Sequence, residues 1–283
     1  MKRCYGILLT LVLISAAALA QTPSKLYPFS LDFKPEKTIL QAIPAPPGYE
    51  RFPSAKMNVF MAWITNLPLR PFSNPVVRWD KQILMKADSI SGVIDVGVIS
   101  TNQKDADLPL QLAMEFLRVA GALADFPIIL RPADTVNFGK WLNGKYTTGG
   151  KDRLNYTPGE KREISETEFY RYLEFVMRRM ENKNLLLNLA AVNEKDIHPG
   201  DLFIQFRKGD ADSIGHAAMI FDVALNKEGD VMLLAGWGGI PARNFAIYRP
   251  LPISERKWFT LDEMKAYLAE FGDGRFYRFK YIQ

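Results

Sequence analysis

The spacing of hydrophobic residues predicts helices in the first two thirds of the chain and strands in the last third. Apolar residues recur every three or four positions in three segments, which predicts amphipathic helices over residues 58–67, 108–123 and 165–180. From Gly200 onward the apolar residues alternate or run together in the manner of strands, over residues 201–206, 217–224, 231–235 and 244–248. A helix over 261–271 and a strand over 275–281 complete the pattern. Helices followed by an antiparallel sheet predict an α+β fold.

Three further segments are predicted from their composition. Residues 21–43 are rich in proline and predict an extended lead-in, which leaves residues 44–283 as a single α+β domain. Residues 92–100 are rich in Val and Ile and predict a strand, in which Asp95 must either face solvent or pair with a group such as an Arg. Residues 145–163 lack apolar periodicity and predict a mobile surface loop, for which the sequence suggests no role.

The first twenty residues are typical of a signal peptide. Lys2 and Arg3 precede a run of apolar residues over 6–19, and the small residues before Ala20 suit cleavage after that position. The run is shorter than the roughly 20 residues that a membrane helix needs, and we expect no transmembrane segment in the mature chain. The prediction is therefore export to the periplasm or the extracellular space. Cleavage would also remove Cys4, so the mature chain would contain no cysteine and no thiol chemistry.

Composition narrows the classes of function. The chain has 283 residues with 36 Lys and Arg against 31 Asp and Glu, and this mild positive charge without a basic stripe argues against a nucleic-acid partner. Its 2 histidines and 1 cysteine are too few for zinc, iron–sulfur or haem sites. We therefore predict no cofactor and no metal. The oligomeric state is left open.

The segment from His198 to Ile220 carries the clearest chemical pattern. A Pro-Gly-Asp turn introduces the strand that ends at Gln205, and a Gly-His pair places His216 at the entrance of the next strand. This layout resembles the NlpC-type, papain-like cell-wall endopeptidases. In those enzymes a Cys at the start of a preceding helix is the nucleophile and the strand His accepts its proton. The resemblance implies a papain-like core with His216 in the catalytic position, but without the cysteine.

A second resemblance covers most of the mature chain, from about residue 44 to 279. It is to the domain-of-unknown-function 4846 family of exported bacterial proteins, through an ordered set of segments: 47–51, 63–71, 93–96, Leu117-Arg118, Phe138 with Lys140-Trp141 and Gly144, 200–205, 215–217, 222–224, 233–235 and 241–243. The family pattern has a Cys at or near Leu110 and a Gln at Gly236. The resemblance therefore implies a member that has lost its nucleophile and its orienting amide.

Three functions remain open from the sequence. The first is a non-catalytic module that binds a cell-wall peptide, a peptidoglycan fragment or a glycan, with Trp141, Asp201, Gln205 and Trp237 as binding candidates beside His216. The second is a cysteine-independent envelope hydrolase, in which His216 and carboxylates such as Asp201 or Asp222 activate water. The third is a structural or assembly partner. For each candidate residue a purely structural role is an alternative, and it is the favoured one for Asp201, because Asp forms turns and Trp fills cores.

Overall fold

The computed structural model describes residues 23–30, 32–150, 153–207, 209–250 and 256–282. The predicted signal peptide lies outside these residues, as does the cleavage position after Ala20. The helices are α1 (Pro23–Leu26), α2 (Ile39–Ala42), α3 (Val59–Thr65), α4 (Asp107–Val119), α5 (Phe138–Leu142), α6 (Glu166–Arg179) and α7 (Leu261–Leu268). None of the helices in the described ranges is long and apolar enough to cross a membrane.

The strands in the first half of the chain are β1 (Glu50–Arg51), β2 (Val76–Val77), β3 (Ile83–Met85), β4 (Ile90–Val93), β5 (Ile128–Arg131), β6 (Asp134–Val136), β7 (Gly144–Thr148) and β8 (Leu154–Pro158). Those in the second half are β9 (Leu189–Val192), β10 (Leu202–Arg207), β11 (Asp210–Leu225), β12 (Val231–Trp237), β13 (Ala246–Tyr248), β14 (Phe259–Thr260) and β15 (Gly274–Phe279). The predicted α+β class is confirmed by these helices and the large antiparallel sheet.

The main sheet has the order β4-β13-β12-β11-β10-β15-β9, with β1 beside β11 and β14 beside β12. All of its described pairings are antiparallel. Both faces are buried, because alternate residues of the central strands enter two different core clusters. Ala217 and Met219 belong to the cluster that includes residues of α4 and α6. Ala218, Ile220 and Trp237 belong to the cluster that includes residues of α7. A polar side chain on this sheet therefore has little access to water.

Helices α6 and α7 begin at residues whose side chains cap them. Ser165 accepts a hydrogen bond from the Glu168 backbone N–H, and Arg178 and Arg179 lie in the last turn of α6, where the helix dipole favours positive charge. Thr260 and Glu263 form a full capping box at the start of α7. The helix predicted over 58–67 is the shorter α3, capped by Asn58.

The segment over 145–163 is not the structureless loop that we predicted. Strands β7 and β8 pair in register, with Tyr146 opposite Tyr156. Tyr146 also stacks on Phe175 of α6, with ring centroids 5.7 Å apart. These aromatic contacts stabilise a hairpin whose other strand residues are Gly, Lys, Thr, Asn, Leu and Pro, so the segment shows no apolar periodicity.

The strand predicted over 92–100 is also shorter than expected. β4 ends at Val93, and Asp95 lies beyond it, where Ser30 donates to its Oδ2 at 2.6 Å and Arg70 Nε lies 3.3 Å from its Oδ1. The expected pairing of Asp95 with an Arg is thus present. The lead-in contains the short helices α1 and α2, and its Ile39 and Ile43 are fully buried.

Arg51 connects the lead-in to the sheet. Its guanidinium forms an ion pair with Asp222, which is fully buried on β11, and donates to the backbone oxygens of Leu40 and Ile43. The Arg51 guanidinium also lies 5.4 Å from the ring centroid of Trp258. One side chain therefore neutralises a buried charge and fixes residues 40–43 against the core.

We predict that Arg51→Met lowers the free energy of unfolding by about 3–5 kcal/mol, because it leaves the Asp222 carboxylate buried without its partner. The matched control is Arg178→Met, which removes an exposed partner of Glu174 and should cost no more than about 0.5 kcal/mol. Urea unfolding of the three proteins measures both values. Equal losses in the two variants would contradict the role assigned to Arg51.

Candidate functional site

The His216 ring is paired with Asp105, which lies two residues before α4. Nδ1 of His216 is 2.5 Å from Oδ2 of Asp105, and both residues are about 3% exposed. The same Oδ2 accepts from the Ala217 backbone N–H at 3.4 Å, and Oδ1 accepts from the Ala106 backbone N–H at 2.9 Å. Since a carboxylate only accepts, Nδ1 of His216 is the donor. Nε2 is then the nitrogen that remains for another partner.

The loop that carries Asp105 is held by two buried glutamines. Gln103 Nε2 donates to Gln111 Oε1 at 2.7 Å, and Gln111 Nε2 donates to the backbone oxygen of Gly97 at 3.1 Å. Gln103 Oε1 in turn accepts the backbone N–H of Ile99 at 3.0 Å. This chain of hydrogen bonds fixes the approach to α4 and therefore the position of the Asp105 carboxylate.

Aromatic side chains cover the His216 ring. Phe271, just after α7, stacks on it with ring centroids 4.4 Å apart and an interplanar angle of 18°. Trp237 meets it edge-on at 5.7 Å, and Trp237 itself stacks on Tyr248 at 3.8 Å. His216 Nε2 is buried and has no hydrogen-bond partner among the described residues. The pair is closed to solvent in this conformation.

The positions implied for a lost nucleophile and a lost amide are filled by core packing. Leu110 is buried in the core cluster on the α4 side of the sheet. At Gly236, a side chain would collide with the backbone oxygen of Ala246 and the ring of Phe221. Asp105, rather than Leu110, is the α4-side residue that contacts the His216 ring.

The two carboxylates that the hydrolase hypothesis named are both bound to arginines. Arg278 donates to Asp201 through Nε at 2.6 Å and through Nη2 at 2.8 Å, and the His198 backbone N–H donates to Asp201 at 2.8 Å. Burial raises the pKa of Asp201, and the Arg278 guanidinium opposes that rise. Asp222 is paired with Arg51. Within the described residues, no group of three or more His, Cys, Asp or Glu side chains is placed to hold a metal ion.

The other binding candidates divide between two places. Trp237 and Gln205 adjoin His216, since Gln205 lies directly opposite His216 in the β10–β11 register. Trp141 lies instead on α5, where its Nε1 donates to Glu168 at 3.0 Å and its ring packs against Tyr172 and Phe175. The described contacts of Trp141 therefore join it to α6 rather than to His216.

An apolar groove with a volume of about 790 Å³ lies between the lead-in, α3 and the end of α4. We call it the α3 groove, and its lining includes Leu26, Phe33, Val59, Ala62, Trp63 and Ala120. Tyr27 is the centre of its wall, stacked on Phe33 at 5.3 Å and on Trp63 at 5.4 Å. The Tyr27 hydroxyl donates to the Trp63 backbone oxygen, and Trp63 Nε1 donates to the Leu26 backbone oxygen. The wall is rigid because its rings are packed and their polar atoms are satisfied.

Sequence reasoning missed Asp105 and the α3 groove. The polar run from Gln103 to Asp107 before an apolar helix was a visible signal, but it was interpreted only as a helix start. Nothing in the sequence indicated that the Pro-rich lead-in would form one wall of a groove. Its aromatic residues, Tyr27, Phe29 and Phe33, were the available hint.

Comparison with known families gives one match. The model of the family described as a domain of unknown function (4846) matches residues 39–280. No curated protein and no solved structure matches the chain significantly. The match spans α2 to β15, so it includes the Asp105–His216 pair and most of the α3 groove.

Asp107, in the first turn of α4, makes the free energy of unfolding depend on pH. Burial raises its pKa to about 6, the Asp105 charge acts in the same direction, and the Lys104 backbone N–H and charge oppose the rise. A carboxyl whose folded pKa exceeds its unfolded value contributes stability that is complete at low pH and is lost as the pH rises through the folded pKa. The relevant window runs from the ordinary value of 3.8 to about 6.

We predict that Asp107→Asn removes this dependence. The free energy of unfolding of the unsubstituted protein should fall relative to the variant by about 2 kcal/mol between pH 4 and pH 7, because each unit of pKa shift corresponds to about 1.4 kcal/mol and a small part of the change lies outside this interval. Denaturant unfolding at intervals of half a pH unit measures the difference, in which all other titrations cancel. A difference that stays constant with pH would refute the assignment.

Proposed function

Because the chain belongs to the domain of unknown function 4846 family, whose description carries no activity, we propose from the site itself that it is an exported, non-catalytic binding module of the cell envelope. Its ligand is a peptide segment with apolar side chains, held in the α3 groove. Export rests on the signal-peptide pattern over residues 1–20. A papain-like core is part of the proposal, supported by the order of α4, β10, β11 and β12.

The α3 groove is the observation that carries the proposal. Its volume of about 790 Å³ lies within the range of roughly 300–1,000 Å³ for ligand pockets. Val59, at 39% exposure, presents an apolar surface to solvent at its edge. Asn58 and Asn66, the caps of α3, give the same edge a polar rim. A rigid apolar floor with a polar rim is the usual form of a peptide-binding groove, because little order has to be created on binding.

The chemistry of the wall favours a peptide over a glycan. Sugar rings bind on exposed aromatic faces with many hydrogen bonds around them. Here the faces of Trp63 are occupied, since Tyr27 stacks on it at 5.4 Å and Phe60 at 6.4 Å. Trp63 is only 5% exposed. Aliphatic or aromatic side chains of a peptide are therefore the better fit to the remaining apolar surface.

The absence of catalysis is supported by the closure of the His216 site. Phe271 and Trp237 cover the ring, and within the described residues no Ser, Thr or Cys hydroxyl or thiol lies within hydrogen-bond distance of Nε2. A general base must reach the proton that it abstracts, directly or through one water. The closed ring does not meet that requirement.

One observation favours the envelope hydrolase as a second candidate. The carboxylate of Asp105 on Nδ1 and the unpartnered Nε2 of His216 have the relative orientation of the carboxylate and base in a catalytic triad. Movement of Phe271 would expose Nε2 to a water molecule. Hydrolysis of a peptide or peptidoglycan fragment, detected by mass spectrometry and lost in His216→Gln, would establish this candidate in place of the first.

We predict that Ala62→Arg abolishes binding of apolar peptides, because the new side chain places a charge and a long stem in the α3 groove. The probes are a blocked Leu-Phe-Leu tripeptide, a blocked Ser-Gly-Ser tripeptide and a peptidoglycan disaccharide. The first should raise the melting temperature of the mature protein with increasing concentration, since a ligand that binds the folded state stabilises it. The other two should leave it unchanged.

The matched control is Ala266→Arg, which introduces the same residue at an exposed position of another helix, α7. It should keep the response to Leu-Phe-Leu. Stabilisation by the disaccharide alone would show that the ligand is a glycan and not a peptide. No response of the unsubstituted protein to any of the probes would reject the binding module and leave the structural-partner hypothesis.

A further inference from the structure

Two buried polar side chains stand side by side on the face of the sheet that α7 covers. Gln205 on β10 lies directly opposite His216 on β11, and side chains of opposed residues in an antiparallel pair share one face. Gln205 is 1% exposed and His216 is 3% exposed. Each has one buried atom without a hydrogen-bond partner among the described residues, Oε1 of Gln205 and Nε2 of His216.

The hydrogen bonds of Gln205 fix the orientation of its amide. Its Nε2 donates to the backbone oxygens of Leu268 and Gly272, the latter at 3.4 Å. Both partners are carbonyl oxygens, which only accept, so the nitrogen of the amide must face them. The unpartnered Oε1 is therefore an acceptor.

The pairing with Asp105 fixes the tautomer of the neutral His216 ring in the same way. Nδ1 carries the hydrogen that it donates to the carboxylate, which leaves Nε2 as an acceptor. Two neighbouring buried acceptors that lack donors are costly, because each has lost its hydrogen bonds to water. The group that satisfies both must donate at least two hydrogens.

The net charge of the Asp105–His216 pair favours one class among the groups that donate two hydrogens. The Asp105 carboxylate is buried, and its described ion pair is with His216 rather than with a Lys or Arg. We take Nε2 as carrying no hydrogen, and the pair then has a net negative charge in a poorly hydrated environment. An ammonium group supplies both a compensating positive charge and enough hydrogens. We propose that Gln205 Oε1 and His216 Nε2 bind a primary ammonium group of a small-molecule or peptide ligand.

Access to this amine site is controlled by the turn after α7. Residues 269–271 form a 3-10 turn that Gln205 holds through the flanking oxygens of Leu268 and Gly272, while Phe271 covers His216. A pocket of about 840 Å³ lies beside it, lined by Gly272 and Gly274 and by side chains of both charges. Gly272 has a φ of 114°, which a glycine adopts without strain. The proposal therefore requires that the turn be displaced when a ligand enters from this pocket and reaches Gln205.

The proposal is tested with methylammonium as the probe and tetramethylammonium as the control, because the control has the same charge but no N–H group. Protein labelled with ¹⁵N in its 2 histidine rings gives two sets of signals, and His198→Gln assigns the set that belongs to His216. In the absence of probe, His216 Nε2 should show the chemical shift of an unprotonated nitrogen. Methylammonium should move that shift and raise the melting temperature, and tetramethylammonium should do neither.

Two variants complete the design. Gln205→Leu removes the acceptor and should abolish the response of the His216 signal, whereas His198→Gln should retain the thermal response. If Gln205→Leu does not fold, the responses of the His216 ring signals to the two cations in the unsubstituted protein test the proposal by themselves. A protonated Nε2 would overturn the proposal, since it would donate to Gln205 without a ligand. Equal responses to the two cations, or none, would also overturn it. This site is separate from the α3 groove, so its failure would leave the peptide-binding proposal intact.

Discussion

Burial of both faces of one antiparallel sheet is the constraint on which the rest of the structure depends. Every polar side chain on its central strands needs a specific partner, because water does not reach it. Asp222 forms an ion pair with Arg51, which fixes the lead-in. Asp201 forms an ion pair with Arg278 on β15. His216 is paired with Asp105, which fixes the loop before α4. These three pairs connect the sheet to the segments around it. The interactions that satisfy the buried polar groups therefore also fix the positions of those segments.

The same constraint separates the two sites of the molecule. His216 lies on a covered face, between Phe271 and Trp237, and it is reached only if the turn after α7 moves. The α3 groove lies on the opposite side of the sheet, where the lead-in and α3 meet the end of α4 and leave an apolar concavity. A closed polar pair and an open apolar groove suit different ligands. We propose that the groove binds a peptide without any rearrangement, whereas the polar pair binds only a small donor group.

The sequence predicted the parts of the fold that depend on local periodicity. The apolar stripes of α4 and α6 and the succession of β10, β11 and β12 are predicted by the spacing of apolar residues. The contacts that make the sites did not, because they join distant positions: Asp105 bonds the backbone of Ala217, 112 residues away. The hairpin of β7 and β8 was missed for a related reason, since its stabilising contact is between Tyr146 and Phe175 of another element. The Gly-His pair before an apolar run identified His216, although β11 begins at Asp210, so His216 lies within the strand rather than at its entrance. The sequence suggested Asp201 and Asp222 as its carboxylate partners, but both are paired with arginines.

The central claim is that the Asp105–His216 pair is closed and takes no part in hydrolysis. Hydrogen–deuterium exchange at the C2 carbon of the imidazole rings, followed by mass spectrometry, tests it directly, because the reaction requires contact between the ring and solvent. His198, which is partly exposed, is the internal reference. The account predicts that His216 exchanges much more slowly than His198. Exchange of His216 at the rate of His198 or faster would show an accessible ring and contradict the account.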